Sequence, residues 1–351
     1  RYGCDSEEYE ACLREVLKVG PNIIIDDGGD LVHLMHTEFT EFIPNVLGGC
    51  EETTTGINRL KIMDRERDWK TYPVLHFIMS GLKNCTIPEA RSALELYISD
   101  YERIYGRNMA EETPGKRFRG LIHRAYEKTG EKVVVILDEY DAAIMRLMYE
   151  DEELEQMRTM LREFYQVLKD EGAYLRFVFI TGVTKFSQLS IFSDLNNLNQ
   201  ISMIDDYSGI CGITQEELDT TLRPCVEDYA EGLGITTGEA YALLKKNYDG
   251  YHFSPHGKDV YAPFSLLNAL SDRKTDYYWF ESGTMTALIE HLRHYPEFNP
   301  LDFDGAELDL GDFNVPCERA RTPIPLLYQS GYLTIDSYDK EMDTYILHFP
   351  N

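Results

Sequence analysis

Residues 132–141 read KVVVILDEYD, and this stretch decides the fold. Its uninterrupted run of β-branched and aliphatic residues, 133–137, is typical of a strand buried inside a parallel sheet. Further apolar runs at Tyr72–Met79 and Leu175–Ile180 predict two more strands. Segments with helical spacing separate the three runs. Alternation of strands and helices predicts an α/β fold with a parallel sheet and right-handed crossovers.

The segments between these strands predict helices at Pro88–Tyr105, Phe118–Lys128 and around Leu154–Leu168, the last closed by Gly172. After about Asp205 the pattern becomes mostly helical. Two further strands, Tyr332–Asp336 and Thr344–Phe349, follow near the end of the sequence. A helix followed by such a hairpin is compatible with a winged-helix module. A hairpin packed on the main domain would give the same pattern.

Composition and charge narrow the class of protein. The formal net charge of −27 argues against non-specific nucleic-acid binding, because phosphates would be repelled. No apolar run reaches the roughly 18 residues that cross a bilayer, so we expect no membrane partner. The seven cysteines show no zinc or redox spacing, and we expect reduced thiols in a cytoplasmic protein. The chain begins at Arg1, and we expect that both of its ends are cut.

Acidic residues follow the most apolar strand directly. Asp138 and Glu139 stand at its carboxyl end, where α/β sheets bind ligands, and Thr181 follows the next strand. In this arrangement the aspartate holds Mg²⁺ through water, the glutamate orients an attacking water, and a hydroxyl contacts a terminal phosphate. Two acids that begin a solvated loop, and a threonine that caps it, give the same pattern.

Several longer motifs carry a resemblance over the region from about Trp69 to the end. They are Leu137–Asp141, Phe179–Ser187, Ile191–Ser193, Leu195–Leu198, Asn247–Tyr251, Tyr261–Asn268 and Tyr278–Thr284. This region resembles predicted AAA-type ATPases that often carry a C-terminal PD-(D/E)xK nuclease-like domain. The resemblance implies a P-loop-NTPase-type sheet with flanking helices, Walker B positions at Asp138 and Glu139, a sensor position at Thr181, and ATP with Mg²⁺ at Asp138.

The sequence departs from that family where the phosphate-binding loop belongs, before the Tyr72 strand. Gly115-Lys116 and Gly257-Lys258 lack the remaining residues of the GxxxxGK[ST] pattern. Without backbone amides and a lysine around the phosphates, ATP affinity is expected to be very poor. We therefore predict an ATPase-like scaffold that does not turn over ATP. The nuclease-like domain would begin beyond Asn351.

The front of the chain predicts a helix, a short strand at Asn22–Ile25 and a second helix at Leu31–His36. The acidic turn 26–30 follows the strand, and a loop at Gly48–Glu52 leads into the threonine run 53–55. Carboxylates at such a turn can contact a polyol, and hydroxyls at a helix start can contact a nucleotide. Composition alone favours plain acidic turns and a threonine N-cap.

Residues 21–31, 36–37 and 51–56 resemble S-adenosylhomocysteine hydrolase, and the resemblance runs from Arg1 to about Met63. It implies substrate contacts at Asp27 and Glu52, and NAD contacts at Thr53, Thr54 and Thr55. In that family NAD transiently oxidises the ribose to eliminate homocysteine. The resemblance ends at Asp64, before that family's catalytic lysine and aspartate, and no GxGxxG fingerprint follows. Neither NAD nor ATP is expected to bind tightly, and hydrolase activity is not expected.

These observations predict three regions: a hydrolase-like fragment at 1–66, an ATPase-like core lacking its phosphate loop at 67–205, and a helical lid with a winged-helix-like region at 206–351. The front region would lack sheet partners, and it would either expose apolar surface at Ile23–Ile25 and Leu31–Met35 or dock loosely on the second part of the chain. Three functions stay open: an impaired AAA-type ATPase-like protein, a hydrolase remnant, and a non-catalytic interaction protein whose partners the sequence does not identify. The meeting of two families in one charged run, 64–68, favours a chimera produced by a joining accident.

Overall fold

A computed structural model describes residues 6–26, 28–46, 48–51, 60, 71–145, 147–183, 197–278, 291–299, 303–313 and 320–350. The chain divides into two compact units, residues 1–71 (the front unit) and residues 72–351 (the main unit). Among the described residues, none of the helices combines the length and the hydropathy that crossing a membrane requires.

In its described residues up to 51, the front unit contains two helices and two short strands. In chain order they are α1 Ser6–Leu17, β1 Ile23–Asp26, α2 Asp30–Thr37, a 3₁₀ turn at Thr40–Asn45, and β2 Gly48–Glu51. The predicted helix, strand and helix are confirmed. The predicted loop at Gly48–Glu52 is wrong over its first four residues, because these pair in parallel with β1 from Ile23 to Asp26. Glycine has a low strand propensity, so only this non-local pairing reveals the strand.

Within the described residues, the buried core of the front unit consists of Leu17, Ile24, Leu34 and Met35. The expectation of exposed apolar surface is confirmed on one face of β1, where Ile23 and Ile25 are 65% and 75% exposed. It is wrong for Leu34 and Met35, which are buried. Helix α2 turns these two side chains toward Leu17 and Ile24, and the four residues exclude water together.

The main unit begins with a parallel sheet of three strands in the order β3–β4–β5, which confirms the α/β prediction. The strands are β3 Val74–Ile78, β4 Val133–Asp138 and β5 Leu175–Ile180. The elements around them are a 3₁₀ turn at Met79–Leu82, α3 Ile87–Tyr105, α4 Pro114–Thr129, α5 Ala142–Met145 and α6 Asp151–Asp170. Helix α4 starts four residues before the predicted Phe118, because the Thr113 side chain accepts a hydrogen bond from the Lys116 amide and Pro114 suits the first turn.

Helices α3, α4 and α6 cover one face of this sheet. The aromatic centre of the core is formed by Phe77, Phe118 and Phe164, with ring centroids of Phe118 and Phe164 4.6 Å apart. A buried ion pair joins α3 to α4, where Arg117 donates to both carboxylate oxygens of Glu102 at 2.7 and 3.1 Å. This side of the sheet is therefore fully packed.

The rest of the main unit combines helices with two small antiparallel sheets. The first part holds a 3₁₀ turn at Asp205–Tyr207, β6 Ile213–Thr214, α7 Gln215–Asp219, α8 Arg223–Leu233, α9 Thr237–Tyr248, β7 Tyr251–His252, β8 Asp259–Tyr261 and α10 Pro263–Asp272. The last part holds β9 Ala306–Asp309, α11 Leu310–Phe313, α12 Ile324–Gln329, β10 Thr334–Asp339 and β11 Thr344–His348. The predicted hairpin is confirmed as β10 and β11, and β9 adds a third strand beside β11. The winged-helix assignment stays a prediction.

Candidate functional site

Asp138 ends β4 and lies at the carboxyl edge of the parallel sheet. Its register partner on β3 is Ile78, and Thr181 comes directly after the last residue of β5. The Thr181 hydroxyl donates a hydrogen bond to the Asp138 Oδ1 atom. The structure therefore brings these two predicted site residues into direct contact, while the Asp138 side chain stays partly exposed.

Glu139 adopts an unusual backbone conformation next to this contact. Its φ angle is +52°, in the left-handed region that few residues other than glycine adopt. Hydrogen bonds hold the backbone there: the Glu139 amide donates to Thr181 Oγ1 at 3.4 Å, and the Tyr140 amide donates to the Thr181 carbonyl at 3.0 Å. Such strain persists only where surrounding contacts impose it, and it is common at functional sites. The Glu139 side chain is exposed at this turn.

A layer of buried polar residues holds the backbone around Glu139 through hydrogen bonds. Tyr140, Asp141 and Tyr165 are each at most 3% exposed. The Tyr165 hydroxyl donates to the Tyr140 carbonyl at 2.8 Å, and the Val183 amide donates to Asp141 Oδ1 at 3.3 Å. Burial raises the pKa of Tyr165, and the negative charge of Asp141 raises it further. The hydroxyl therefore stays protonated and remains a donor.

Gly182 is required by the same layer. A Cβ atom at this position would lie 2.4 Å from the Tyr140 ring and 2.7 Å from Asp141 Oδ1. Sequence reasoning did not select Tyr140, Asp141 or Gly182 as site residues. The available signal was the third acid of the Asp138–Asp141 run, together with a glycine directly after Thr181.

Two carboxylates, those of Asp138 and Glu139, are adjacent in sequence at this edge of the sheet. Within the described ranges, no three His, Cys, Asp or Glu side chains come together as a metal-binding group. Mg²⁺ in nucleotide sites is held by one or two carboxylates, with water and phosphate oxygens completing its shell. Asp138 and Glu139 are adjacent carboxylates of that kind.

The predicted site residues at the front of the chain are not described. Asp27, Glu52, Thr53, Thr54 and Thr55 lie outside the residues that the structure describes. Gly115, part of a near-match to a phosphate loop, is buried, and a Cβ there would lie 2.7 Å from the Glu163 carbonyl oxygen. This glycine lets α4 approach α6, so its role is packing.

Comparison with known proteins now bears on both parts of the chain. A model of the family described as predicted AAA-ATPase matches residues 50–192, a range that contains Asp138, Glu139 and Thr181. This region is similar to predicted AAA-ATPases. An "uncharacterized protein in vnfD 5′ region" of Azotobacter chroococcum mcd 1 is 33% identical over 325 residues, which cover 89% of this chain and 58% of that protein.

The front of the chain has different relatives. S-inosyl-L-homocysteine hydrolase of Methanosarcina acetivorans is 52% identical over 66 residues, which are 19% of this chain and 16% of that enzyme. Adenosylhomocysteinase of Thermoplasma acidophilum is 55% identical over 65 residues, again 16% of the enzyme. Both resemblances seen in the sequence are thus confirmed. The chain spans little more than half of the Azotobacter protein and about a sixth of these hydrolases.

Proposed function

We propose that the main unit is an AAA-type nucleotide scaffold that binds a magnesium–nucleotide complex weakly and does not turn it over efficiently. The observation that carries this proposal is the hydrogen bond from Thr181 to Asp138, beside a Glu139 held in the left-handed conformation. A strand-end acid pair next to a hydroxyl on the neighbouring strand is the arrangement that phosphoryl-transfer sites on parallel sheets use.

Each residue has a separate role in this proposal. Asp138 holds the water shell of the metal, and Glu139 orients a water molecule toward the terminal phosphate. Thr181 keeps Asp138 in place and contacts the phosphate once it is bound. Mg²⁺, when bound with the nucleotide, neutralises the phosphate charge. Asp141 and Tyr165 act on the backbone of the turn and do not touch the ligand.

The weakness of binding follows from the sequence before β3. No GxxxxGK[ST] pattern precedes this strand, so the amides and the lysine that normally surround the phosphates are missing. Two carboxylates and a hydroxyl can hold a metal ion but cannot neutralise a triphosphate. We expect a dissociation constant for Mg-ATP above about 0.1 mM, which corresponds to roughly 5 kcal/mol of binding free energy.

The test is calorimetric titration of the chain with a non-hydrolysable ATP analogue and Mg²⁺. Asp138→Asn should weaken binding by roughly tenfold or more, as loss of a metal-holding group does. Asp100→Asn, at an exposed carboxylate on α3, is the matched control and should bind as the parent does. Equal affinity in the parent and Asp138→Asn would refute the site. Turnover near 1 per second, ordinary for enzymes, would refute the impaired scaffold.

The front unit supports a more limited proposal. Its relatives are named as hydrolases, but the match covers only 16% of those enzymes. We propose that this unit is a remnant of an NAD-dependent hydrolase, in which Asp27 and Glu52 match substrate-contacting positions and Thr53–Thr55 match NAD-contacting positions, and that it has no hydrolase activity. Added NAD should leave the thermal unfolding of the chain unchanged; an increase that Thr54→Val abolishes would show a working cofactor site.

We also propose that the chain is a chimera. The match to the ATPase family begins at residue 50, inside the segment that resembles the hydrolases. Long sequencing reads of source DNA across the codons for residues 63–69 test the junction. Single molecules that carry it would establish a real fusion, and their absence would show an assembly artefact.

A further inference from the structure

Three exposed apolar side chains lie close together in the segment that precedes β6. Ile204, Tyr207 and Ile210 are 42%, 45% and 59% exposed. Single exposed apolar side chains are common on protein surfaces, whereas several that lie side by side mark an interaction site. The backbone between these three residues therefore decides whether they form one surface.

Backbone hydrogen bonds align the three side chains. The Tyr207 amide donates to the Ile204 carbonyl at 2.9 Å, and the Ile210 amide donates to the Tyr207 carbonyl at 3.0 Å. Bonds between residues three apart are those of a 3₁₀ turn, in which side chains at i and i+3 eclipse each other. Ile204, Tyr207 and Ile210 thus form one line, called here the apolar row. With a rise of about 2.0 Å per residue, the row is about 12 Å long.

Contacts with the loop between β7 and β8 hold the backbone of the apolar row. The Ser208 hydroxyl donates to the Asp205 carbonyl at 2.8 Å and accepts from the Lys258 amide at 3.0 Å. The Asp205 side chain accepts from the His256 amide at 3.1 Å. Because Ser208 is only 4% exposed, its hydrogen bonds are shielded from water. The apolar row is therefore preorganised, and a partner does not have to order it.

The charged groups around the apolar row are mainly acidic. Asp205 and Asp206 lie between its first two members, and both residues are exposed. Lys258 is bonded to the segment through its amide, but its ammonium group lies 3.7 Å from the Glu216 carboxylate, which offsets its charge. The formal net charge of the whole chain is −27. A partner that approaches this surface meets a negative potential, which favours a basic partner.

We propose that the apolar row binds a basic amphipathic helix of another protein. The apolar face of that helix lies along Ile204, Tyr207 and Ile210, and its lysine and arginine side chains face Asp206. Apolar residues at positions i, i+4 and i+7 of an α-helix span about 10.5 Å, because each residue rises by about 1.5 Å. This span matches the length of the row. The interaction needs no nucleotide and does not depend on the function proposed for Asp138.

The probe for the test is a synthetic, fluorescein-labelled helical peptide of about 18 residues, with leucines on one face and lysines on the other. Fluorescence anisotropy with the full chain in about 0.15 M NaCl measures its binding. Because three side chains make a small contact, we expect a Kd of about 10–100 µM. Ile210→Ser should weaken binding roughly fivefold or more. Leu96→Ser is the matched control, since Leu96 on α3 is 58% exposed, and it should leave the Kd unchanged.

A second variant protects the test against misfolding. Tyr207→Ser removes the middle side chain of the apolar row and should also weaken binding roughly fivefold or more. Circular dichroism of both variants must match the parent. Absence of peptide binding at about 500 µM, or binding that neither variant weakens, would overturn the proposal.

Control peptides separate docking from simple attraction between opposite charges. A peptide of the same composition, with its leucines spread around the helix, should bind roughly tenfold more weakly. Equal binding of the two peptides would show attraction to the net charge alone and would overturn the proposal. A peptide with glutamate in place of lysine should not bind, and equal binding of this peptide would contradict a basic partner. Self-association of the parent that Ile210→Ser abolishes would also overturn the proposal, because a second copy of the chain would then occupy the row.

Discussion

Two parallel strands of this chain end in an aspartate, and the two aspartates have different roles. Asp26 ends β1 in the front unit, is 4% exposed, and accepts a hydrogen bond from the Val32 amide at 2.9 Å. It completes the first turn of α2, whose amides would otherwise lack partners. Asp138 ends β4 in the main unit, is partly exposed, and is held by a hydroxyl from the next strand. An aspartate after an apolar strand is therefore structural where its carboxylate accepts from the first-turn amides of the following helix. It is a candidate ligand where the neighbouring strand supplies a polar partner.

The two units also differ in how many apolar side chains they bury. Four buried side chains form the centre of the described part of the front unit, whereas a continuous aromatic and aliphatic cluster fills the space between the main sheet and its helices. Because buried apolar area is the main source of stability, the main unit should unfold at a higher denaturant concentration.

The largest expected effect tests how differently side chains on the two faces of the main sheet contribute to stability. Phe164→Ala removes a fully buried ring that stacks on Phe118, and it should lower the free energy of unfolding by about 3–5 kcal/mol. Phe177→Ala removes an exposed ring on the opposite face of the sheet and should change it by less than about 0.5 kcal/mol. Denaturant unfolding monitored by circular dichroism measures both. Similar losses in the two variants would mean that the ring of Phe177 is covered in solution.

The next effect is a loss of stability of the main unit in acid. His291 is 4% exposed and contacts the Tyr149 hydroxyl, and burial together with the nearby His294 lowers its pKa from 6.5 to about 4. The unfolded chain binds a proton at a higher pH than the folded one. Stability is therefore full above pH 6.5 and falls as the pH decreases to about 4, by roughly 3 kcal/mol.

The measurement is the urea midpoint of the main unit between pH 7 and pH 4. His291→Gln cannot titrate and should flatten this dependence, even if it lowers stability at every pH. His33→Gln, in the front unit, is the control. A pH profile that His291→Gln leaves as steep as the parent's would contradict the assignment.

The elements that the sequence predicts best are those whose signal is local. Leu175–Ile180 was predicted with the observed limits, because a six-residue apolar run needs no partner to be seen. The contact of Asp138 with Thr181 was also foreseeable, since parallel strands place their carboxyl ends at one edge. The β2 strand at Gly48–Glu51 was not, because its sequence favours a turn and only its pairing with β1 makes it a strand.

The supports of the candidate site depend on contacts between distant segments. Tyr165 reaches the carbonyl of Tyr140 from the middle of α6, and its spacing in the sequence indicates only a core residue. In the same way, Tyr101 lies on α3 and its hydroxyl donates to the His76 carbonyl at the β3 edge of the sheet. Such pairs can be identified only from the three-dimensional structure, because nothing in either segment alone indicates its partner.

A smaller effect tests the two aspartates directly. Asp26→Ala removes the acceptor for the Val32 amide and should cost about 1–2 kcal/mol, as the loss of a helix cap does. Hydrogen exchange by mass spectrometry should show faster exchange in α2, by roughly 5- to 30-fold. Asp138→Ala should leave exchange in the helices of the main unit unchanged. Equal protection of α2 in the parent and Asp26→Ala would remove the contrast between the two residues.

The smallest effect concerns the response of the front unit to acid. The Arg14 guanidinium donates to both Glu38 carboxylate oxygens at 2.8 and 3.0 Å, which joins α1 to the end of α2 and lowers the pKa of Glu38 below its ordinary 4.5. The pair therefore stabilises the front unit above pH 4.5, and its contribution is lost as the pH falls through the lowered pKa. Both side chains are well exposed, so solvent and salt keep the contribution small.

Hydrogen exchange in α1 and α2 between pH 6 and pH 3, corrected for intrinsic rates, measures this contribution. Glu38→Gln should reduce the acid-dependent loss of protection, and Glu41→Gln, at another exposed acid of the same unit, should not. Protection that is lost already between pH 6.5 and 4 in the front unit would contradict the separation of the two units. The main unit is expected to weaken from pH 6.5 downward through His291, whereas the contribution of Glu38 to the front unit should be lost only below about pH 4.5, because this group is an exposed carboxylate and not a buried imidazole.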